Sequence, residues 1–362
     1  MTIGILTFHN SINFGAVLQA YALKETVQSI YADVEILDYR TPYISNRYKI
    51  ISIDTRSMRR LIKSIIFTLT RFPRRCVNFA FSRFRKKYMN LSKKAKTSSE
   101  ICKKDVYIVG SDQVWNSTIT HFDKTFFLDF ASDHQKKIAY AASIGEDKLN
   151  KAQEIFIREN IQNIDYVSVR EDSAVDILKN LTDKKVYQAL DPTLLADPVI
   201  WDKLISTRNR YGNNYLLVYK VLKNQELFKT ARMVAEKLHL KIVYINNYES
   251  AQQGFINARR IDPRKFLTLF KGASFVVTNS FHGTAFSIIF NKDFISVANN
   301  RRGNRLQSIL NQLQLDSRLI LKSTEIDTQY SFEIDYTLPN ELLKKEKEKS
   351  LASLIQSIEG KA

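Results

Sequence analysis

Short apolar runs rich in β-branched residues alternate with longer helical segments through the first half of the chain. The first elements are a strand, a helix and a strand, predicted at 2–8, 15–30 and 34–40. Further strands are predicted at 105–110, 137–144, 165–170 and 185–190, with helices at 151–164 and 172–180. Because strands separated by helices form βαβ units, the pattern predicts a parallel sheet with helices on both faces.

A second series of the same kind follows Asp191-Pro192. Its strands are predicted at 215–220, 241–245, 274–278 and 293–297, and its helices at 224–238, 263–270 and 303–313. The break at 196–198 divides the chain into two predicted α/β domains, 1–195 and 196–362. The segment 339–360 has one heavily charged side, so we expect it to form a surface helix of the second domain.

The positive charge of the chain is concentrated in one segment. The formal net charge is +18, and residues 46–104 hold 18 Lys and Arg against two acidic residues, Asp54 and Glu100. This segment lies between the second and third predicted strands, so it is an insertion in the first domain. Apolar residues recur within it at helical spacing, namely Met58, Leu61, Ile62, Ile65, Ile66 and Leu69.

An apolar stripe beside basic residues is typical of a helix that lies on an anionic lipid surface. The alternative is a helical insertion whose stripe packs on the domain while its charges are solvated. Nucleic-acid binding would also suit the charge, but no motif supports it, so we expect no nucleic-acid partner. No signal peptide or membrane-spanning run is visible, so we expect a cytoplasmic protein that is peripheral to the inner face of the membrane. Cys76 and Cys102 provide neither a disulfide framework nor a metal site, and no metal is expected.

Polar motifs follow two strands of the first domain, where parallel sheets bind ligands. In the first motif, 9–23, a loop runs into a helix whose free amides and side chains can face an anion or a polyol. The second motif, 110–116, combines polar side chains with an aromatic face suited to a sugar. Its alternative is a turn with the tryptophan in the core, and the alternative for the first motif is a helix cap. The candidate residues are His9, Asn10, Asn13, Gly15, Asp112, Gln113, Trp115 and Asn116.

Two further motifs contain the residues best suited to catalysis. Arg170 ends a predicted strand, where its guanidinium can bind a phosphate or carboxylate; the alternative is an ion pair with Glu171 or Asp172. His282 lies at a strand-to-helix turn, where the amides and hydroxyls of 278–284 can form an anion site. Histidine exchanges protons near neutral pH, although a single histidine is often structural.

Taken in order, these motifs resemble the polysaccharide pyruvyl transferase family. The resemblance rests on NFGAVLQAYAL at 13–23, GSDQVWN at 110–116, YAASIG at 140–145, VRE at 169–171, DPTLL at 191–195 and SFHG at 280–283. It implies two Rossmann-like domains in a GT-B-like fold, with the site in the cleft between them. It also implies that phosphoenolpyruvate is the donor, that a sugar diol on a lipid-linked repeat unit is the acceptor, and that no cofactor is needed.

The resemblance also assigns roles. Arg170 would hold the donor anion and His282 would be the acid/base. Many family members have an arginine at the position of Ser280, so we expect Arg305, Arg301 or Lys220 to supply the missing contact. The predicted donor site is completed by Asn279, Ser280 and Gly283, and the first-domain motifs would line the acceptor side. The alternatives are a GT-B glycosyltransferase that uses a nucleotide sugar, and a non-catalytic protein that binds a glycan or a membrane.

Overall fold

The computed structural model describes residues 1–41, 57, 72–206, 208–298, 304–327 and 329–360, and these form two parallel sheets. The strands of the first sheet are β1 Thr2–Leu6, β2 Asp33–Ile36, β3 Val106–Val109, β4 Lys136–Ala142, β5 Tyr166–Val169 and β6 Val186–Gln188. They lie in the order β2-β1-β3-β4-β5-β6. Buried apolar residues fill β3 and most of β4, as expected for strands covered by helices on both faces.

The second sheet has the order β12-β11-β10-β7-β8-β9. Its strands are β7 Tyr215–Tyr219, β8 Lys241–Ile245, β9 Ile256–Ala258, β10 Phe275–Thr278, β11 Asp293–Val297 and β12 Leu319–Ile320. The helices of the chain are α1 Phe14–Gln28, α2 Phe72–Tyr88, α3 Ser117–Thr120, α4 Lys151–Asn160, α5 Asp172–Lys179, α6 Pro192–Leu195, α7 Val199–Asp202, α8 Gln225–Lys237, α9 Pro263–Gly272, α10 Phe281–Ile289, α11 Asn304–Gln312 and α12 Thr337–Glu359.

Each sheet has a switch point where the direction of strand addition reverses. In the first sheet it lies between β1 and β3, and in the second between β7 and β10. Loops at the carboxyl ends of strands diverge at such a point and leave a crevice, which is where open α/β sheets bind ligands. The order of the strands therefore indicates where a ligand site should be sought.

An apolar core continues from one sheet to the other. Phe14, the first residue of α1, stacks on Phe266 of α9 with ring centroids 4.5 Å apart, and it also contacts Phe81 of α2. Trp201 contacts Tyr21 of α1 and Phe286 of α10. These aromatic contacts join the helices that flank both switch points.

The described part of the basic insertion contains helix α2. Its residues Phe81 and Phe84 are buried, whereas Phe79 is 71% exposed. Basic side chains of the same helix, including Arg83, Lys86 and Lys87, face solvent. The predicted stripe from Met58 to Leu69 lies outside the described residues, so its lipid contact stays a prediction. Within the described ranges, no helix is both long and apolar enough to cross a bilayer.

The terminal helix α12 has a buried face that packs on the first sheet. Leu354 and Ile358 are buried in the core, and the Lys136 ammonium donates to the Ile358 carbonyl at 2.7 Å. Ser350 Oγ accepts from the Leu190 amide at 3.1 Å. The helix thus crosses back from the second sheet to the first, although the sequence suggested a surface helix of the second domain. The division of the chain at residue 195 stays a prediction.

The predicted fold class is confirmed: the chain is α/β, with two parallel six-stranded sheets and a basic helical insertion. Strands β8 and β11 have the predicted bounds. Strands β9 and β12, which are only three and two residues long, were not predicted from the sequence. Segments this short cannot show the alternation by which a strand is detected.

We predict that Leu354→Ala lowers the free energy of unfolding by about 2–5 kcal/mol, because it leaves a cavity under α12. Leu338, on the same helix, is 44% exposed, so Leu338→Ala is the matched control and should change stability by less than about 1 kcal/mol. Urea unfolding followed by tryptophan fluorescence measures both. Equal effects of the two substitutions would show that α12 is not docked through Leu354.

Candidate active site

A cavity of about 390 Å³ lies where the two switch points face each other. The loops after β1 and β3 line one side, and the loops after β7 and β10 line the other. Arg305 of α11 completes the wall. The volume falls within the ~300–1,000 Å³ that is usual for small-molecule sites. Both halves of the chain therefore contribute to one site.

His282 enters this cavity from the first turn of α10. Ser280 caps the helix, and its Oγ accepts from the Gly283 amide at 3.3 Å. The side chain of His282 is only 10% exposed, and its Nε2 has no hydrogen-bond partner among the described residues. A buried imidazole nitrogen without a partner is costly unless a ligand or water occupies the adjacent space.

Gly15, at the start of α1, allows the imidazole to approach the first half of the chain. A Cβ at this position would overlap Nδ1 of the His282 ring. Asn13 caps α1, and its Oδ1 accepts from the Gly15 amide at 2.9 Å. The amino ends of α1 and α10 therefore meet at the imidazole. Gly15 has a packing reason for being glycine, in addition to its predicted place on the acceptor side.

Asp191 lies behind His282 and joins several of the sequence motifs. Its Oδ2 is 3.7 Å from His282 Nε2 and accepts from Arg170 Nη1 at 2.8 Å. Its Oδ1 accepts from the amide and the hydroxyl of Thr193, and Ser111 Oγ lies 3.3 Å from Oδ2. The carboxylate is fully buried.

The ionisation of Asp191 follows from these contacts. Burial alone would raise its pKa, but the imidazole of His282 and the guanidinium of Arg170 outweigh burial and hold the pKa well below its usual range. Burial alone would lower the pKa of Arg170, but the charges of Asp191 and Glu171 raise it above its ordinary value. The site therefore holds a fixed carboxylate against a fixed guanidinium.

Arg170 does not line the main cavity. Its guanidinium lies 4.5 Å from the centroid of the Phe281 ring, and its Nε and Nη2 have no hydrogen-bond partner among the described residues. Glu171 lies beside it, with Oε2 3.6 Å from Nε. Glu171 Oε1 accepts from Ser143 Oγ and from the amides of Ile144 and Gly145. The ion pair with Glu171 that the sequence suggested is therefore present, together with a shorter one to Asp191.

Arg305 is the guanidinium that reaches the cavity from the second half. With the amide oxygen of Gln113 turned toward it, that oxygen accepts from Nη1 at 2.6 Å and from Nη2 at 3.1 Å. Lys220 instead pairs with Glu249 at 2.6 Å and is not among the cavity-lining residues. Its predicted donor contact therefore has no support in this arrangement, because its charge is already neutralised. Arg301 lies outside the described residues.

Asn279 holds together two loops of the second half. Its Oδ1 accepts from the Val221 amide at 2.9 Å, and its Nδ2 donates to the Leu222 carbonyl at 2.8 Å. Asn279 and Ser280 line the cavity. A Cβ at residue 283 would overlap Thr278 Oγ1, so Gly283 permits the close turn from strand to helix.

The first-half candidates fall into two groups. His9, Asn10, Asn13, Asp112, Gln113 and Asn116 line the cavity. Asn13 and Asn116 also cap helices. For the first motif, the cap alternative is therefore present together with the cavity-lining position. Trp115 is 2% exposed, and its indole N–H donates to the Phe126 carbonyl at 3.0 Å. Its ring stacks on Phe127, so the prediction that Trp115 contacts an acceptor was wrong and the core alternative is correct.

Asp191 was not predicted as a site residue from the sequence. The signal was Asp-Pro directly after a predicted strand, which we interpreted as family likeness and as the point after which the second series of elements begins. Among the described residues, no group of three or more His, Cys, Asp or Glu side chains is arranged to hold a metal ion. The absence of a metal from the reaction stays a prediction, as does the assignment of site residues.

Comparison with solved structures supports the fold. UDP-GlcNAc 2-epimerase from Neisseria meningitidis, bound to UDP-GlcNAc, has a TM-score of 0.52 at 10% identity, with 99% of each chain covered. S. aureus MnaA in a co-structure with UDP has a TM-score of 0.50 at 11% identity, covering 97% of this chain and 90% of that one. The spinosyn forosaminyltransferase SpnP reaches 0.48 at 8% identity, covering 99% and 98%. At these identities the likeness concerns the GT-B fold alone.

Comparison of the sequence with curated proteins finds no match. A sequence profile described as "Polysaccharide pyruvyl transferase" matches residues 13–301. The match runs from Asn13 at the start of α1 past His282 in α10, whereas the lining residues His9, Asn10 and Arg305 lie outside it. The chain therefore belongs to the polysaccharide pyruvyl transferase family.

Proposed function

We propose that the protein transfers pyruvate from phosphoenolpyruvate to two hydroxyls of a sugar and releases phosphate. The observation that carries the proposal is that His282 lines the cavity, and its buried Nε2 lies 3.7 Å from the buried Asp191 without a hydrogen-bond partner among the described residues. Family membership supports pyruvyl transfer to polysaccharide. Phosphoenolpyruvate as the donor is our inference from the chemistry.

The reaction needs one proton donor and one proton acceptor. Protonation of the methylene carbon of phosphoenolpyruvate creates an oxocarbenium-like C2, which the first sugar hydroxyl attacks. Cleavage of the C2–O bond then releases phosphate, and the second hydroxyl adds to C2 to close the cyclic ketal. Of the two hydroxyl protons, one balances the proton given to the methyl group and the other leaves with phosphate. A histidine can serve both transfers near neutral pH.

In this scheme His282 transfers the protons and Asp191 positions it. A buried carboxylate beside the ring fixes its orientation and stabilises the imidazolium that forms when the ring accepts a proton. Arg170 neutralises Asp191, so in this arrangement it acts behind the cavity as a positioning residue. The direct donor contact implied by the family resemblance stays a prediction, and Nε and Nη2, which have no hydrogen-bond partner among the described residues, are the atoms that could make it.

The donor anion would lie between Arg305 and the amino end of α10. First-turn amides of a helix have no partner within the helix and favour negative charge. Arg305 takes the place of the family arginine that this chain replaces with Ser280, since its guanidinium lines the same cavity. The acceptor sugar would then face Asn10, Asn13 and Asp112 on the opposite wall.

We expect His282→Ala to lower kcat by ~10²–10⁴, the usual contribution of a positioned acid/base. Phosphate release from phosphoenolpyruvate and the mass of the product, measured with oligosaccharide acceptors, are the readouts. His239 is exposed, so His239→Ala is the matched control and should keep wild-type kcat. Near-wild-type turnover by His282→Ala would remove the residue from the mechanism. Transfer from a nucleotide sugar with release of nucleotide would instead identify a GT-B glycosyltransferase.

The contact between Gly15 and His282 can be tested by a double-mutant cycle. In the wild type, Gly15→Ala forces a methyl group against the imidazole, so we expect it to destabilise the protein by about 1–3 kcal/mol and to lower kcat. In the His282→Ala background the ring is absent, and the same methyl group should be tolerated. The coupling energy from urea unfolding should therefore be about 0.5–3 kcal/mol. Equal effects of Gly15→Ala in both backgrounds would show that the two residues are not in contact.

We also propose that the acceptor is presented at an anionic membrane surface. The exposed basic residues Arg83, Lys86 and Lys87 and the exposed Phe79 of α2 support this docking. A basic residue near an anionic leaflet contributes ~1 kcal/mol of attraction, so a few are enough for reversible binding.

We expect the protein to sediment with phosphatidylglycerol vesicles and not with phosphatidylcholine vesicles. The pair Lys86→Glu and Lys87→Glu should weaken this binding by about tenfold or more, since each substitution reverses a charge. Lys344→Glu and Lys349→Glu, on the exposed face of α12, form the control pair. Equal sedimentation with both vesicle types, or equal loss in both variants, would contradict electrostatic docking through α2.

A further inference from the structure

Two arginines lie together at the first-half edge of the cavity. Tyr39 and Ser11 line the cavity, Arg40 follows Tyr39, and Arg85 of α2 donates from Nη1 to the Ser11 carbonyl at 3.1 Å. Neither arginine belongs to the motifs that carry the family resemblance. Both belong to the first half and adjoin the lining residues Tyr39 and Ser11, whereas His282 and Arg305 come from the second half.

The charges of this pair are only partly balanced. Asp38 accepts from Arg40 Nε at 2.6 Å and from Nη2 at 2.8 Å, and also from His9 Nε2 at 2.8 Å. Burial alone would raise the pKa of Asp38, but these hydrogen bonds hold it at about 2. The Asp38 carboxylate therefore balances the charge of Arg40. Among the described residues, no carboxylate lies at ion-pair distance from Arg85.

Arg85 is held in a position that disfavours its own charge. Burial, followed by repulsion from Arg40, lowers its pKa to about 10. Among the described residues the Arg85 guanidinium makes one hydrogen bond, from Nη1 to the Ser11 carbonyl, which leaves Nε and Nη2 for a ligand. Two guanidiniums that repel each other at the edge of a cavity are stabilised when an anion binds between them.

We propose that Arg40 and Arg85 form a binding subsite for a diphosphate group carried by the acceptor. The inference rests on the proposed function, because it assigns the subsite to the acceptor side of the same cavity. A guanidinium pair suits the several oxygens of a diphosphate, and each guanidinium can donate two parallel hydrogen bonds. The basic surface of α2, including Lys86 and Lys87, would draw such an anion toward the cavity.

The donor's own phosphate is a less suitable occupant of this subsite. It must lie within reach of the proton transfer at His282, and Arg305 provides a guanidinium there. His9, next to the arginine pair, has both ring nitrogens facing oxygen acceptors, the Thr7 carbonyl and Asp38. His9 is therefore committed to supporting Asp38, and the subsite recognises its ligand through the two arginines.

The test measures the binding of inorganic pyrophosphate by calorimetry without divalent ions, so it needs no turnover. Arg85→Gln should weaken the affinity by about tenfold, the loss expected when a charge-assisted hydrogen bond is removed. Arg83→Gln, on the exposed side of the same helix, is the control and should bind as the wild type does. Arg40→Gln should weaken binding as well, but it also leaves Asp38 short of a partner, so thermal unfolding must accompany it.

Arg305→Gln shows whether pyrophosphate binds at the donor end. If Arg305→Gln abolishes pyrophosphate binding while Arg85→Gln leaves it unchanged, or if the wild type does not bind pyrophosphate, the subsite proposal is wrong. If the wild type shows no pyruvyl transfer but Arg85→Gln still loses pyrophosphate binding, the proposed function is wrong and the subsite proposal stands. If Arg85→Gln has the wild-type KM for a diphosphate-bearing acceptor, the subsite proposal is wrong but the proposed function stands.

Competition experiments identify the source of the diphosphate. Farnesyl diphosphate and uridine diphosphate each displace pyrophosphate if the shared group is recognised. Tighter binding of the farnesyl compound would indicate a lipid-linked acceptor, and tighter binding of the uridine compound a nucleotide-linked one. Displacement by neither would overturn the proposal, because both contain the group that the arginine pair should bind.

Discussion

The buried carboxylate of Asp191 joins the two halves of the site. It pairs with Arg170 of the first half and lies 3.7 Å from the imidazole of His282 in the second. An isolated buried carboxylate would be strongly unfavourable, so the guanidinium and the donors of Thr193 are needed to keep it charged. Removing one member of such a pair commonly costs about 3–5 kcal/mol, because the remaining charge is left buried. The position of His282 thus depends on residues far apart in the sequence.

The parallel topology explains why these residues can meet. Loops from the carboxyl ends of β1 and β3 face loops from β7 and β10, because the switch point of each sheet opens toward the other. Gly15 then permits contact between the amino end of α1 and the imidazole. The aromatic contacts of Phe14 with Phe81 and Phe266 hold α1, α2 and α9 together beside this contact. Packing and chemistry therefore depend on the same few residues at the start of α1.

Much of the fold could be predicted from the sequence, because strand and helix periodicities are local. Strands β8 and β11 have the predicted bounds, and the strand-end motifs do line one cavity. Trp115 could not be assigned from the sequence, since an indole beside polar residues suits a sugar platform as well as a core. Asp191 and the docking of α12 were missed because both depend on contacts between distant segments. Ionisable groups that satisfy each other across an interface leave no periodic pattern in a sequence.

The arginines around the cavity differ in whether a buried carboxylate neutralises them. In the proposed reaction, this difference determines which arginines bind a substrate anion. Arg170 is buried and neutralised by Asp191 and Glu171, so it organises the site around His282. Among the described residues no carboxylate lies at ion-pair distance from Arg85 of the first half, and Arg305 lines the cavity from the second half. In the proposed reaction, one end of the cavity would bind the small dianionic donor and the other the anionic acceptor, with the imidazole of His282 between them.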